Sequence, residues 1–192
     1  MKSWRMKDIV VMAALAVVFG IVYLLFLPVN VVMMGLVGPI GTDIIFGVWF
    51  LVSIVAAYII QKPGVALVSE TIAGIVEVLI GSSAGPIVIL TAIVQGLGSE
   101  AVFAMTRYRS YHVFVLMGAG VGAAITSFIW GYFRGGFAAL DPSYVALMLI
   151  VRIISGAVIS GLIGKAISEA LAKTGTLTSF PLGKMHRQRK AG

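Results

Sequence analysis

Six apolar runs alternate with short polar breaks along the chain. They cover residues 9–27, 44–60, 65–80, 86–105, 113–133 and 143–167. Each approaches the ~20 residues an α-helix needs to cross ~30 Å of hydrocarbon. The breaks are rich in helix stops: Pro28, then Gln61-Lys62-Pro63-Gly64, then Gly81-Ser82-Ser83. The last run opens on Asp141-Pro142, an N-cap acid followed by proline at the first helical position. The pattern predicts an all-α integral membrane protein, a six-transmembrane-helix bundle forming one domain over residues 1–192. Residues 174–192 read as a basic tail. The first run follows Lys2, Arg5 and Lys7 like a signal peptide. It is too long for one and lacks a small-x-small cleavage motif, so it reads as an uncleaved helix.

Composition sharpens this picture. Hydrophobic residues make up 60% of the 192 and charged residues 11%, against ~45–50% and ~25% in soluble domains. Six helices leave no room for a soluble catalytic domain. The absence of cysteine removes disulfides, Cys-zinc sites and thiol nucleophiles. His112 and His186 each fall beside basic loop residues rather than together, so no metal site and no cofactor is expected. The chain has no Walker A loop, G-x-S-x-G or HExxH. It is therefore not expected to be an enzyme, nor to drive itself with ATP.

The net charge of +7 resembles a nucleic-acid signature until the charges are placed. With the N-terminus inside, all but two of the fourteen Lys and Arg residues fall on the inner side. Only Arg134 falls outside, and Arg152 falls within a span. This obeys the positive-inside rule and puts both termini in the cytoplasm. Lys184, Arg187, Arg189 and Lys190 then form a juxtamembrane cluster suited to anionic lipid, not to nucleic acid. The outer loops are 28–43, 81–85 and 134–142. The first is long, apolar and free of Lys and Arg, and it carries Asn30. It is expected to fold back over the outer mouth; the alternative is a first or second helix that simply extends further.

Small residues mark where helices approach closely. Gly118 and Gly122 do so on the fifth helix, Gly156, Ser160 and Gly164 on the sixth, and Ala92, Gly96 and Ala104 on the fourth. Ala13, Ala16 and Gly20 make a patch on the first helix that suits inward packing or the docking of a second protein equally.

Ionisable side chains within the spans carry the candidate chemistry, because a charge at mid-bilayer costs ~2.5–3.5 kcal/mol unless it faces a partner or a cavity. Glu70 and Glu77 are seven apart on one helix face, with Gly74 between them. Counting ~1.5 Å per residue, Glu77 is shallow and Glu70 lies near the midplane. Arg152 is either a ligand group or a partner for Glu77 that locks the third helix to the sixth. Glu100 lies on a packing stripe and reads as structural. Trp49, Gln95, Trp130 and Tyr132 lie in the outer half or near the middle, though Trp130 and Tyr132 also suit interface anchors. Acid, aromatic and amide at one depth suit a small, flat, cationic or amine-bearing solute. Two readings stay open: a solute-binding subunit of a driven importer, and a proton-coupled carrier using Glu70 or Glu77.

The segments MKSWRMKDIVVMAAL, FGVWFLVSIVAAYIIQKPGVALVSETIAGIVEVLIG and GPIVILTAIVQGLGSEAVFAMTRYRSY add a resemblance. The chain is similar to the substrate-capture (S) components of energy-coupling factor (ECF) transporters, and within them to the thiamine-binding type. The resemblance spans almost the full length, and the last two helices match more loosely. It implies a six-helix bundle in a prokaryotic cytoplasmic membrane that binds thiamine or a related pyrimidine vitamin from outside. It implies as partners a transmembrane coupling subunit and two ABC-type ATPases. It also implies a lid role for the first outer loop, and contact between the coupling subunit and Ala13, Ala16 and Gly20.

Overall fold

The computed structural model describes residues 3–191, with side chains described as far as Gln188. Lys2 and the side chains of Arg189 and Lys190, placed above on the inner side, lie outside the described residues. All regular structure among the described residues is helical. The helices are α1 (Met6–Val37), α2 (Ile40–Ile45), α3 (Leu51–Ile60), α4 (Val65–Ile80), α5 (Ile87–Met105), α6 (Val113–Arg134), α7 (Pro142–Ser155), α8 (Gly164–Lys173) and α9 (Pro181–Ala191). A 3-10 turn, Phe46–Phe50, joins α2 to α3, and a π-helical stretch, Gly156–Ile163, joins α7 to α8. Five continuous helical stretches are long and apolar enough to cross a membrane: Met6–Val37, Ile40–Ile60, Ile87–Met105, Val113–Arg134 and Pro142–Lys173. At 16 residues, α4 is shorter than the usual ~20. The chain is a multi-pass membrane protein.

The expected start of α7 is present. Asp141 accepts the Ser143 amide at 2.8 Å, and Pro142 occupies the first helical position. The Ser143 hydroxyl and amide hold the Asp141 carboxyl below its usual range.

The first helix differs from expectation. Residues 28–37 are not a loop folded over a mouth; α1 runs through Pro28 to Val37. A proline costs a helix one N–H bond, but the run VNVVMMGLV after it is apolar, and membrane helices accommodate such a break. The true stop is Gly38-Pro39, where Gly38 takes a φ of 78°. The basic tail is not wholly free either. Leu177, Phe180 and Leu182 are buried in the main core, so the segment after α8 docks beneath α3 before the basic residues of α9 begin.

The core centres on α3, every residue of which is buried. Around it stand α1, α4, α5, α6 and the last helical stretch. Where the backbone carries no side chain, helices come closest. A Cβ on Gly156 would meet the Gly120 carbonyl oxygen at 2.5 Å, so α6 and the π-helical stretch touch backbone to backbone. Gly122 approaches Gly98 of α5 in the same way. At Gly47 the 3-10 turn is gripped from both sides. Its N–H donates to Ser155 Oγ at 2.9 Å, and its carbonyl accepts from Ser160 Oγ at 2.5 Å.

The two ends of the bundle are built differently. The lower end holds the 61–64 turn, the start of α1 and the segment from α8 into α9. There Lys62 is buried against Asp8 at 2.6 Å and also donates to the Ser3 carbonyl. Trp4 Nε1 donates to the Pro63 carbonyl at 3.0 Å, and Lys7 to the Ser179 carbonyl at 2.8 Å. Glu100 lies against a neighbouring helix, as expected. Its carboxylate accepts the amides of Gly64 at 2.6 Å, Ala66 at 3.0 Å and Leu67 at 3.2 Å, pairing amides at the start of α4 that the helix itself leaves without partners. Burial, followed by the nearby Glu100 carboxylate, pushes the Tyr108 phenol up to about 12. The upper end, with the 81–85 turn and the end of α6, holds the cavity.

Candidate functional site

A cavity of about 320 Å³ opens between α1, α2, α4 and α5. This volume falls at the low end of the ~300–1,000 Å³ typical of small-molecule sites. Four elements supply its chemistry. From α4 come Glu70 and Glu77, with Gly74 between them; from α5 come Thr91 and Gln95; from α1 come Tyr23 and Asn30; from the second helical stretch come Thr42, Phe46 and Trp49. The seven-residue spacing puts both carboxylates on the same wall, as the helical period requires.

Glu70 is fully buried. Its Oε2 accepts the Ser53 amide at 3.2 Å and the Tyr23 hydroxyl at 3.4 Å. The same Tyr23 oxygen accepts the Val52 amide at 3.1 Å, so α1, α3 and α4 meet at one carboxylate. The Glu70 Oε1 atom has no partner, and neither does Asn30 Oδ1. Two buried acceptors left open at a cavity are a strong request for a donor, since an unsatisfied buried polar group costs ~1–3 kcal/mol. Glu77 uses Oε1 to accept from the Ser82 hydroxyl at 3.0 Å. Trp49 and Phe46 form the aromatic side, ring centroids 5.9 Å apart, with Phe26 edge-on to Trp49.

Of the predicted site residues, Glu70, Glu77, Trp49, Gln95 and Asn30 line the cavity. Trp130, Tyr132 and Arg152 do not. Arg152 pairs with Asp43 rather than Glu77, at 2.5 Å, with both side chains buried. Its guanidinium lies 3.8 Å from the Phe46 ring centroid and 5.0 Å from that of Phe128. It locks α2 to α7, and a ligand cannot reach it through that sandwich. Trp130 stands behind the wall, its Nε1 donating to Thr91 Oγ1 at 3.0 Å. Tyr132 is exposed and edge-on to Phe133, on the outward face of α6. The first-helix patch is also corrected. Ala16 and Gly20 are buried within the chain itself, and a Cβ on Gly20 would meet Val76 and Ala73 of α4. They pack inward, and only Ala13 of the three is partly open.

Sequence reasoning missed Tyr23, Thr42, Phe46, Thr91 and Arg134, which also line the cavity, and Asp43, which holds Arg152. Asp43 was hidden because its segment read as loop. A carboxylate one residue before an apolar run, with an unassigned intramembrane arginine elsewhere, was the available signal.

Fold and cavity together define a helical membrane protein with a solute-sized chamber walled by carboxylates and aromatic rings. Comparison with known proteins agrees. A family model described as the permease component of an ABC-type cobalt transport system matches residues 7–126. A Bacillus subtilis (strain 168) protein named as the HMP/thiamine permease protein YkoE is 51% identical over 190 residues, covering 99% of this chain and 96% of that protein. A crystal structure of an S-component of an ECF transporter matches with a TM-score of 0.96 at 50% identity, over 98% of this chain and 96% of that one. The chain belongs to this family: it is an S component of the ECF type.

Proposed function

We propose that the chain captures thiamine or its hydroxymethylpyrimidine (HMP) precursor from outside a prokaryotic cytoplasmic membrane. In this reading six helices cross the bilayer, the upper end faces outward and both termini are cytoplasmic. A transmembrane coupling subunit and ABC-type ATPases supply the energy, and this chain catalyses nothing itself. The observation that carries the proposal is the open Glu70 Oε1 at a cavity walled by Trp49 and Phe46. An aminopyrimidine offers an exocyclic amine to a carboxylate, and its flat ring suits an aromatic wall. A thiazolium adds a cation, which carboxylates and ring faces both favour.

A cobalt ion, the cargo in the family model's description, fits this cavity less well. Among the described residues no three His, Cys, Asp or Glu side chains gather in a metal-binding group. Divalent transition metals favour several such ligands held together.

The test is a tryptophan-fluorescence titration of purified protein with thiamine, HMP and Co²⁺. Saturable quenching by micromolar thiamine or HMP, and none by Co²⁺, is expected. No response to either vitamin overturns the assignment. Reconstituted alone under a pH gradient, the chain is expected to move no thiamine; transport there would mark a proton-coupled carrier instead.

A further inference from the structure

Lys7 stands where two remote segments of the chain meet at the lower end. It lies in the first turn of α1, and its Nζ donates to the Ser179 carbonyl at 2.8 Å. The same ammonium lies 5.3 Å from the Phe180 ring centroid. Phe180 is buried in the main core with Leu177 and Leu182, so the tail is seated when it reaches Lys7. Lys184 belongs by sequence to the basic tail. The fold sets it within electrostatic reach of Lys7, together with Arg5 and Lys62. Asp8 is the acid acting on this group, and Lys62 at 2.6 Å and Arg5 at 3.5 Å already hold it. The described ion pairs involve neither Lys7 nor Lys184. An ammonium has three donors, and Lys7 gives one of them to Ser179. Like charges gathered in this way repel unless an anion sits among them.

The surface beside them says which anion. Met6, Val10 and Val17 recur on one face of α1 at helical spacing, and all three are exposed. Lys7 and Val10, three residues apart, are neighbours on the helix surface. Cations at the foot of a bare apolar stripe match the two parts of a phospholipid, phosphate at the head and acyl chains along the helix. An acidic peptide or a nucleic acid would meet the charges and have no use for the stripe. We propose that Lys7 and Lys184, flanked by Arg5, form a headgroup site for an anionic phospholipid, built where the docked tail meets α1. This differs from the diffuse attraction of any basic segment to an anionic surface, because the site exists only where the two segments touch. It stands apart from the solute reading above, since neither lysine lines the cavity. A bound headgroup bridges α1 to the tail and clamps the end of the chain against the bundle.

The experiment is native mass spectrometry of the full chain, released from detergent and titrated with phosphatidylglycerol or phosphatidylcholine. Phosphatidylglycerol should saturate one site, and phosphatidylcholine should not. Lys184→Gln should weaken phosphatidylglycerol about fivefold, the scale of one basic residue at an anionic membrane surface. Lys184 is exposed, so its thermal unfolding midpoint should not move. Lys7→Gln should lose at least as much. Lys7→Arg keeps the charge and a donor for Ser179, and it should retain the lipid. Arg109→Gln removes an exposed cation of the α5–α6 connection, outside the group around Lys7. Its affinity should change by less than about twofold, because solvent and salt screen a charge so placed.

Equal losses from Arg109→Gln and Lys184→Gln would mean diffuse attraction and overturn the proposal. Equal binding of the two lipids, or no loss in Lys184→Gln, would overturn it too. Glycerol 1-phosphate carries a phosphate without acyl chains, and it should not displace the lipid at equal concentration. If it does, the site takes free phosphate esters and the lipid assignment falls.

Discussion

Glu70 and Glu100 are the same side chain put to opposite uses at two levels of one bundle. Glu100, at the lower end, spends both oxygens on the backbone amides of Gly64, Ala66 and Leu67 at the start of α4. Glu70, in the wall of the cavity, satisfies one oxygen twice and leaves the other bare. The saturated carboxylate is architecture: it caps a helix that has no N-cap side chain of its own. The half-satisfied one is a site. The two arginines repeat the contrast. Arg152 is buried on Asp43 between two phenyl rings, whereas Arg134 stands at the rim without an ion-pair partner among the described residues. In a membrane helix, the presence of a charge says less than the number of its bonds left unmade.

Substitutions can break this division. The largest effect is expected from Asp43→Ala, which strands a buried arginine. It should cost about 3–5 kcal/mol, read as a lowered thermal unfolding midpoint in detergent. Removing both partners with Asp43→Ala and Arg152→Met should recover part of the loss. Glu70→Gln comes next, and its effect should fall on binding. About 2–3 kcal/mol of thiamine affinity should vanish, with little change in unfolding. Glu100→Gln should show the reverse pattern, losing about 1–2 kcal/mol of stability while affinity holds within a factor of about two. Glu77→Gln should weaken thiamine binding more than Glu100→Gln does; the opposite order would undo the separation of the two ends. Smallest is Trp130→Phe, which removes the donor to Thr91. It should cost about 1 kcal/mol of stability or less, with only a minor change in thiamine affinity.

Periodicity and hydropathy placed the middle of the chain closely. The expected run at 65–80 is α4 itself, and those at 86–105 and 113–133 each differ from α5 and α6 by one residue at one end. Glycine and polar turns end these helices, and such stops are local signals. Pro28 misled because a proline inside an apolar run bends a membrane helix without ending it. The last run, expected over 143–167, continues to Lys173 through the π-helical stretch. That stretch, and the 3-10 turn opposite it, could not be read at all. Their cause is tertiary: Ser155 and Ser160 grip Gly47 from more than a hundred residues away. The docked tail was masked by its charge, since Leu177, Phe180 and Leu182 are few among many basic neighbours. For the site, charge spacing identified both glutamates. It could not show that Tyr23 ties Glu70 to α1, because a tyrosine on an apolar helix face announces no partner.

The length of α1 makes the bilayer itself part of the site. Thirty-two residues span about 48 Å, whereas typical hydrocarbon is about 30 Å thick. Val31, Val32, Leu36 and Val37 at its far end are exposed on the protein. Standing upright, the helix would lift them into water, so it must lean, bend at Pro28 or thicken the lipid around it. Tyr23, Leu27 and Asn30 line the cavity from this same rod. Acyl-chain length thereby sets the slant of one wall, and lipids that touch no ligand can still tune how the chamber holds it.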